Sequence, residues 1–216
     1  QLSSPPPITR LDVQTVVTQD DPASALAEQL AAQTDPILLV GWSLGALLAL
    51  DALALQPDAV QAALLLSPCA RFTASDDFPS GAPPAAPRAM QRGLQKRPER
   101  TLADFLKAVV KPGPAPWPDA APPTDLEALD AGLAYLASTD LRERLTTCGP
   151  DLPPITCLAG EEDQVISAAS TFALQPPLPN AEFAMLPDRG HAFFAQEPAP
   201  IAALVTALVE RLESDT

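Results

Sequence analysis

GWSLGALLAL, residues 41–50, places Ser43 between Gly41 and Gly45. At this point an apolar, strand-like pattern gives way to a helical one. The continuously apolar residues 36–41 predict a short strand that is covered on both faces. The alanine- and leucine-rich residues that follow predict a helix. A Gly-x-Ser-x-Gly motif between a buried strand and a helix is typical of a nucleophile elbow, a tight turn that presents a serine hydroxyl at the top of a sheet.

The elbow interpretation gives Ser43 and Leu44 distinct roles. Ser43 would be a nucleophile, and the N–H of Leu44, at the start of the helix, would face the oxygen that becomes negative during acyl transfer. Trp42, beside the nucleophile, is a candidate to line an acyl channel, although ordinary packing beneath the turn explains it equally well. The alternative for Ser43 is a helix N-cap serine flanked by packing glycines.

Alternating strand and helix patterns continue along the chain and predict an α/β fold, with a mostly parallel sheet flanked by helices. Strands are predicted over 8–13, 36–41, 62–67, 155–159 and 183–186, and helices over 22–33, 45–56, 88–111, 125–146 and 200–212. The proline-rich, irregular block 71–150 is predicted to be a helical cap inserted over a core formed by 1–70 and 151–216. Only 42 residues precede Ser43, room for a strand, a helix and a strand.

A serine nucleophile needs a base and an acid that orients the base. The only histidine of the chain, His191, follows the predicted strand 183–186, so it is the candidate base unless it is a packing or surface histidine. The acid is expected after the preceding strand, in GEEDQVIS. There Asp163 is favoured because apolar residues follow it at once, whereas Glu161 and Glu162 are expected on the solvated side of the turn.

Composition excludes several classes of protein. The 216 residues are 47% hydrophobic, no apolar run is long enough for a membrane span, and the net charge of −14 argues against a nucleic-acid partner. Cys69, Cys148 and Cys157 lack the spacing of metal ligands, and we predict reduced thiols in a cytoplasmic protein without metal or organic cofactor. The chain begins at Gln1 without a basic and apolar leader, so no signal peptide is predicted, and upstream residues are expected to be missing.

Four stretches of the sequence carry a family resemblance: GWSLG, LLLSPCARFTASDDFP, AGLAYLASTDLRERL and GHAFFAQEP. Together with GEEDQVIS they resemble the α/β hydrolase superfamily and, within it, the pimeloyl-acyl carrier protein methyl ester esterases of biotin synthesis. The resemblance implies hydrolysis of that methyl ester, with Ser43, Asp163 and His191 as the triad and Leu44 as the oxyanion residue. It also places Phe105 at an acyl-contacting position of the cap, and Val109, one turn further on, is a further candidate for substrate contact.

The chain departs from the family pattern in two places. The family has an upstream strand and a His-Gly-Trp-type turn that supplies a second oxyanion N–H, whereas His191 is the sole histidine here. We therefore expect that the N-terminal strand and this turn are missing from the sequence, or that the oxyanion hole is completed by another part of the chain. In the cap, Arg100 matches a family arginine, but Asp104 stands where another arginine is expected.

Basic residues concentrate in the predicted cap. Residues 88–111 hold seven basic and two acidic side chains, a net charge of +5, whereas the remainder of the chain carries −19. The basic residues are Arg88, Arg92, Lys96, Arg97, Arg100, Lys107 and Lys111. The resemblance implies an acyl carrier protein as the acidic partner of this surface, and the alternative is a solvated helix face. A general short-chain carboxylesterase and a non-catalytic binding protein on a hydrolase scaffold remain rival functions.

Overall fold

The computed structural model describes residues 8–114, 116 and 125–214, and within them four parallel strands form one sheet in the order β1-β2-β3-β4. The strands are β1 Leu38–Trp42, β2 Ala62–Leu66, β3 Ile155–Gly160 and β4 Glu182–Leu186. β2 is buried along its whole length, as expected of an all-apolar strand that is covered on both faces. A parallel sheet between helices confirms the predicted α/β class.

Helices of the described residues precede, separate and follow the strands, and side chains pack on both faces of the sheet. These helices are α1 Val13–Val17, α2 Pro22–Ala31, α3 Leu44–Leu55, α4 Ala86–Lys96, α5 Pro98–Ala108, α6 Leu126–Ser138, α7 Arg142–Cys148, α8 Ala168–Phe172, α9 Phe193–Gln196 and α10 Pro198–Ser214. One face packs against α2 and α3, and the other carries Leu64, Leu66 and Leu158 against Phe193 and Leu208. Among the described residues, no helix combines the length and the apolarity that crossing a membrane requires.

The register of the sheet brings the carboxyl ends of its strands together. Trp42 pairs with Leu66 at the ends of β1 and β2, and Gly160 pairs with Leu186 at the ends of β3 and β4. The residues that follow each strand therefore meet at one edge of the sheet. This edge is where a parallel α/β sheet places its functional side chains.

The predicted strand over 8–13 is wrong. Ile8–Asp12 has no regular structure, and Asp12 instead caps α1 by accepting a hydrogen bond from the Gln14 N–H at 3.1 Å. Leu11 and Val13 pack against the main core, whereas Ile8 is 90% exposed, and within the described residues no strand pairs with this segment. Two helices and one strand, not a strand, a helix and a strand, thus precede Ser43 in the described chain.

The two long helices predicted in the middle of the chain are each divided in two. Residues 88–111 contain most of α4 and all of α5, which meet at Arg97 before Pro98 because proline cannot continue a helix. Residues 125–146 contain α6 and most of α7, separated by an extended residue at Thr139. All four helices lie between β2 and β3 in the chain, inside the segment 71–150, whose limits as a cap stay a prediction.

Candidate active site

Ser43 occupies a strained turn between β1 and α3. Its backbone has φ 54° and ψ −118°, a region that non-glycine residues rarely adopt. The turn is held from both sides, since the Ser43 N–H donates to Leu66 O at 3.0 Å and Ser43 O accepts from the N–H groups of Ala46 and Leu47 at 3.0 Å. Such strain persists where the surroundings impose it, and here it directs the hydroxyl away from the helix.

The two glycines of the motif are not equivalent. A Cβ on Gly41 would lie 2.9 Å from Gly45 O and 3.0 Å from Ala46 Cα, so β1 and α3 approach too closely there for any side chain. A Cβ on Gly45 would meet only Val13 Cγ2, at an ordinary distance of 3.6 Å. Of these two glycines, only Gly41 is required by the close approach of β1 and α3.

His191 joins Ser43 to Asp163. Its Nε2 lies 2.8 Å from Ser43 Oγ, and its Nδ1 lies 2.7 Å from Asp163 Oδ2. The side chains of His191 and Asp163 are completely buried. This is the geometry in which an imidazole takes the proton of a serine hydroxyl while a carboxylate fixes the tautomer of the ring. The structure thus brings together three residues that lie up to 148 positions apart in the chain.

Asp163 is held at both carboxylate oxygens. Oδ1 accepts the N–H groups of Val165 at 2.8 Å and Ile166 at 2.9 Å, and Oδ2 accepts the Ser67 hydroxyl at 2.8 Å in addition to His191. These donors offset the cost of burying a carboxylate. The neighbouring Glu161 and Glu162 are exposed, so only Asp163 of the three acidic residues turns inward.

Sequence reasoning missed Ser67 and the two main-chain donors to Asp163. Ser67 follows β2 directly, and the carboxyl ends of adjacent parallel strands meet, so its position in LLLSPC was a usable signal. The N–H groups of Val165 and Ile166 leave no trace in residue identity, because every non-proline residue carries one.

The loop that carries His191 rests on residues from two other parts of the chain. The Trp42 indole N–H donates to His191 O at 3.0 Å, and Val109 O accepts the Ala192 N–H at 2.8 Å. Val109 is completely buried, and Phe105 packs on the same small apolar cluster. The structure therefore gives Trp42 and Val109 a supporting place beside the loop of His191, and their contact with a substrate stays a prediction.

Leu44 begins α3, so its N–H has no partner within the helix. A Cβ on Gly132 would lie 2.9 Å from Leu44 Cδ2, so α6 packs directly on the Leu44 side chain. The role of this backbone donor toward an oxyanion stays a prediction.

The seven basic residues predicted to bind a partner are all exposed. Arg88, Arg92 and Lys96 follow one another at four-residue intervals on α4, an arrangement that places them on one side of the helix. Arg100 lies on α5, and its Nε is 3.8 Å from Asp104 Oδ2. The remaining three are Arg97 between the helices, Lys107 on α5 and Lys111 after it.

Comparison with known proteins agrees with this architecture. The sequence profile described as the alpha/beta hydrolase family matches residues 3–204. A pimeloyl-[acyl-carrier protein] methyl ester esterase of Klebsiella pneumoniae subsp. pneumoniae is 31% identical over 201 residues, covering 87% of this chain and 76% of the relative. An esterase of the same name from Stenotrophomonas maltophilia is 32% identical over 194 residues, with coverages of 85% and 73%.

Solved structures show the same fold at lower identity. An esterase from Exiguobacterium antarcticum superposes with a TM-score of 0.75 at 20% identity, covering 87% of this chain and 72% of its own. A bromoperoxidase from Bacillus anthracis gives 0.73 at 19% identity, with coverages of 88% and 72%. The match of the family profile to most of the chain, on this parallel sheet, confirms the resemblance seen in the sequence: the chain belongs to the α/β hydrolase family.

Proposed function

We propose that this protein is a serine carboxylic ester hydrolase. The observation that carries the proposal is the hydrogen-bonded series from Ser43 Oγ through His191 to Asp163, with contacts of 2.8 and 2.7 Å. His191 takes the Ser43 proton as the oxygen attacks the ester carbonyl, and Asp163 stabilises the imidazolium that forms. The tetrahedral oxyanion faces the Leu44 N–H at the start of α3.

Collapse of that intermediate divides the reaction into two halves. The C–O bond to the alcohol breaks, and the leaving alkoxide receives the proton held on His191. Water then attacks the acyl-enzyme, with His191 as its base, and releases the carboxylate and free Ser43. Each step uses only side chains and backbone groups of this chain, so the mechanism calls for neither a metal nor an organic cofactor.

For the substrate, we propose the methyl ester of a pimeloyl group carried by an acyl carrier protein. The support is the identity of 31–32% with the two esterases of that name, over most of both chains. The +5 charge of residues 88–111 on an otherwise acidic chain supports an acidic partner. Exposed cations raise the rate of encounter with such a partner and orient it more than they add affinity.

The test compares a carrier-linked methyl ester with a small free ester. The double variant Arg92→Glu and Lys96→Glu reverses two exposed charges on α4, and Arg10→Glu with Arg211→Glu makes the same change of charge outside the segment. With loss of steering, kcat/KM for the carrier-linked ester should fall at least about tenfold in the α4 variant and lose most of its salt dependence. Hydrolysis of the free ester should barely change in either variant.

The rival functions predict other results. A general short-chain esterase would hydrolyse the free ester efficiently and respond equally to both double variants. A binding protein without catalytic activity would hydrolyse neither ester at any concentration. Either result would overturn the proposal.

A further inference from the structure

Ser67 is a buried serine that takes no part in the proposed steps of ester hydrolysis. It is the first residue after β2, is 0% exposed, and has φ 48°. In the described part of the chain, positive φ at non-glycine residues occurs at Ser43, Ser67 and Asp188, which follow β1, β2 and β4 at one edge of the sheet. Strain of this kind is concentrated where a side chain must be aimed.

The backbone of Ser67 is fixed by the strands on both sides. Its own N–H donates to Leu158 O in β3 at 2.7 Å, and the preceding residue, Leu66, accepts the Ser43 N–H at 3.0 Å. The turns that present Ser43 and Ser67 are therefore directly connected. A change in one would be transmitted to the other through a single main-chain hydrogen bond.

The Ser67 hydroxyl is aimed at the acid of the site. It donates to Asp163 Oδ2 at 2.8 Å, the same oxygen that lies 2.7 Å from His191 Nδ1. The main-chain donors from Val165 and Ile166 reach only Oδ1. Ser67 thus anchors the second oxygen and fixes the rotation of the carboxylate about its Cβ–Cγ bond.

We propose that Ser67 is a positioning residue, which keeps Asp163 Oδ2 directed at His191 Nδ1 so that the proton stays on Nδ1 and Nε2 remains free to accept from Ser43. The kinetic consequence rests on the proposed ester hydrolysis, whereas the effect on His191 does not. Since Ser67 is fully buried, it acts through Asp163 and not by touching the substrate.

The first test measures His191 itself. Because the chain has one histidine, the ¹⁵N and ring-proton signals of its imidazole are assigned without ambiguity. We expect Ser67→Ala and Ser67→Gly to move the Nδ1–H resonance upfield and to raise the fraction of the tautomer protonated on Nε2, as the contact with Oδ2 lengthens. Glycine tolerates φ 48° better than alanine, so Ser67→Gly reports on the hydroxyl without added strain.

Ser170→Ala is the matched control. Ser170 is also buried, but its hydroxyl donates to Ser80 O at 2.6 Å, away from Asp163. Its removal should leave the His191 signals unchanged. If the folded Ser67→Gly protein shows His191 signals like those of Ser170→Ala, or a resonance moved downfield, the proposal is overturned.

The second test separates kcat from KM on a small free ester. Both Ser67 variants should lower kcat about tenfold, the scale of one hydrogen bond to a charged group, with KM nearly unchanged. Unchanged kcat in both variants would also overturn the proposal. If the unmodified protein hydrolyses no ester, the proposed function fails, and the His191 signals alone then decide the role of Ser67.

Discussion

Trp42 and His191 are joined twice, by a hydrogen bond of 3.0 Å from the indole N–H to His191 O and by a tilted ring contact with centroids 5.1 Å apart and planes 44° from parallel. The residue before Ser43 therefore supports the loop that carries His191. Replacing Trp42 by Phe retains an aromatic ring but removes the donor. We expect kcat for ester hydrolysis to fall by up to about tenfold and stability by about 1 kcal/mol, measured by steady-state kinetics and urea unfolding. Equal values for both proteins would show that packing alone accounts for the tryptophan.

Ser43→Ala should remove ester hydrolysis and leave the fold intact. Loss of the nucleophile of such a triad costs at least about a thousandfold in kcat. A serine-directed phosphonate should label the unmodified protein at Ser43, as located by peptide mass analysis, and should not label the variant. Labelling at another serine, or full activity of the variant, would contradict the assignment.

The glycines of the motif offer a matched pair. Gly41→Ala forces a methyl group to within 2.9 Å of Gly45 O and 3.0 Å of Ala46 Cα, so it should displace α3 and lower both activity and thermal stability. Gly45→Ala has room, with Val13 Cγ2 at 3.6 Å, and replaces a glycine within α3. It should keep activity and raise the unfolding free energy by up to about 1 kcal/mol. The reverse order of stabilities would show that the close approach lies elsewhere.

Tyr135 anchors α6 to α3, the helix that follows Ser43. Its hydroxyl donates to Asp51 Oδ2 of α3 at 2.6 Å, and Arg144 of α7 pairs with the other oxygen. Tyr135→Phe should lower the unfolding free energy by about 1–3 kcal/mol, because it removes one partner of a buried carboxylate. Ser138→Ala, which alters an exposed hydroxyl of the same helix bonded to Ala134 O, is the control and should cost much less.

The same tyrosine predicts a pH effect. Burial, then the nearby Asp51 carboxylate, raises the pKa of Tyr135 well above its ordinary value of 10. The folded protein therefore keeps the phenol protonated where the unfolded chain would lose the proton, so this contribution to stability is lost as pH rises above about 10. Tyr135 is the only tyrosine, and its phenolate absorbance should appear only with unfolding. A phenolate signal near pH 10 in the folded protein would contradict this contact.

The thiols should differ in reactivity. Burial raises the pKa of Cys69 to about 12, with a further contribution from the charge of Asp163, and burial raises that of Cys157 to about 12. At pH 8 both are almost entirely neutral thiols and inaccessible, whereas Cys148 is partly exposed. An aromatic disulfide reagent should titrate one thiol in the native protein and three after denaturation. Rapid reaction of more than one thiol in the native protein would show that Cys69 or Cys157 becomes accessible without unfolding.

Short stretches of the sequence were enough to predict the turn at Ser43 and the residues that meet it. The apolar run before Ser43, the glycine at 41 and the helix-forming residues after it predict the elbow, because strand, turn and helix preferences act over a few residues. His191 was identified because it is the single histidine of the chain. Asp163 was favoured because of its place in the chain order and the apolar residues after it, and it is buried in the structure. A family resemblance carried by such motifs was confirmed by comparison over most of the chain.

Other features depend on tertiary structure, because the local preferences of the chain do not specify them. Residues 8–13 form a loop and the start of α1, since none of the described strands pairs with them and Leu11 and Val13 pack on the main core instead. The hydrogen bonds from Ser67 to Asp163, Trp42 to His191 and Tyr135 to Asp51 join residues 84 to 149 positions apart. Such contacts depend on which strands adjoin in the sheet and which helices pack above it. Strand order and helix packing arise from burial of the whole chain, so these partners become identifiable only once the sheet is assembled.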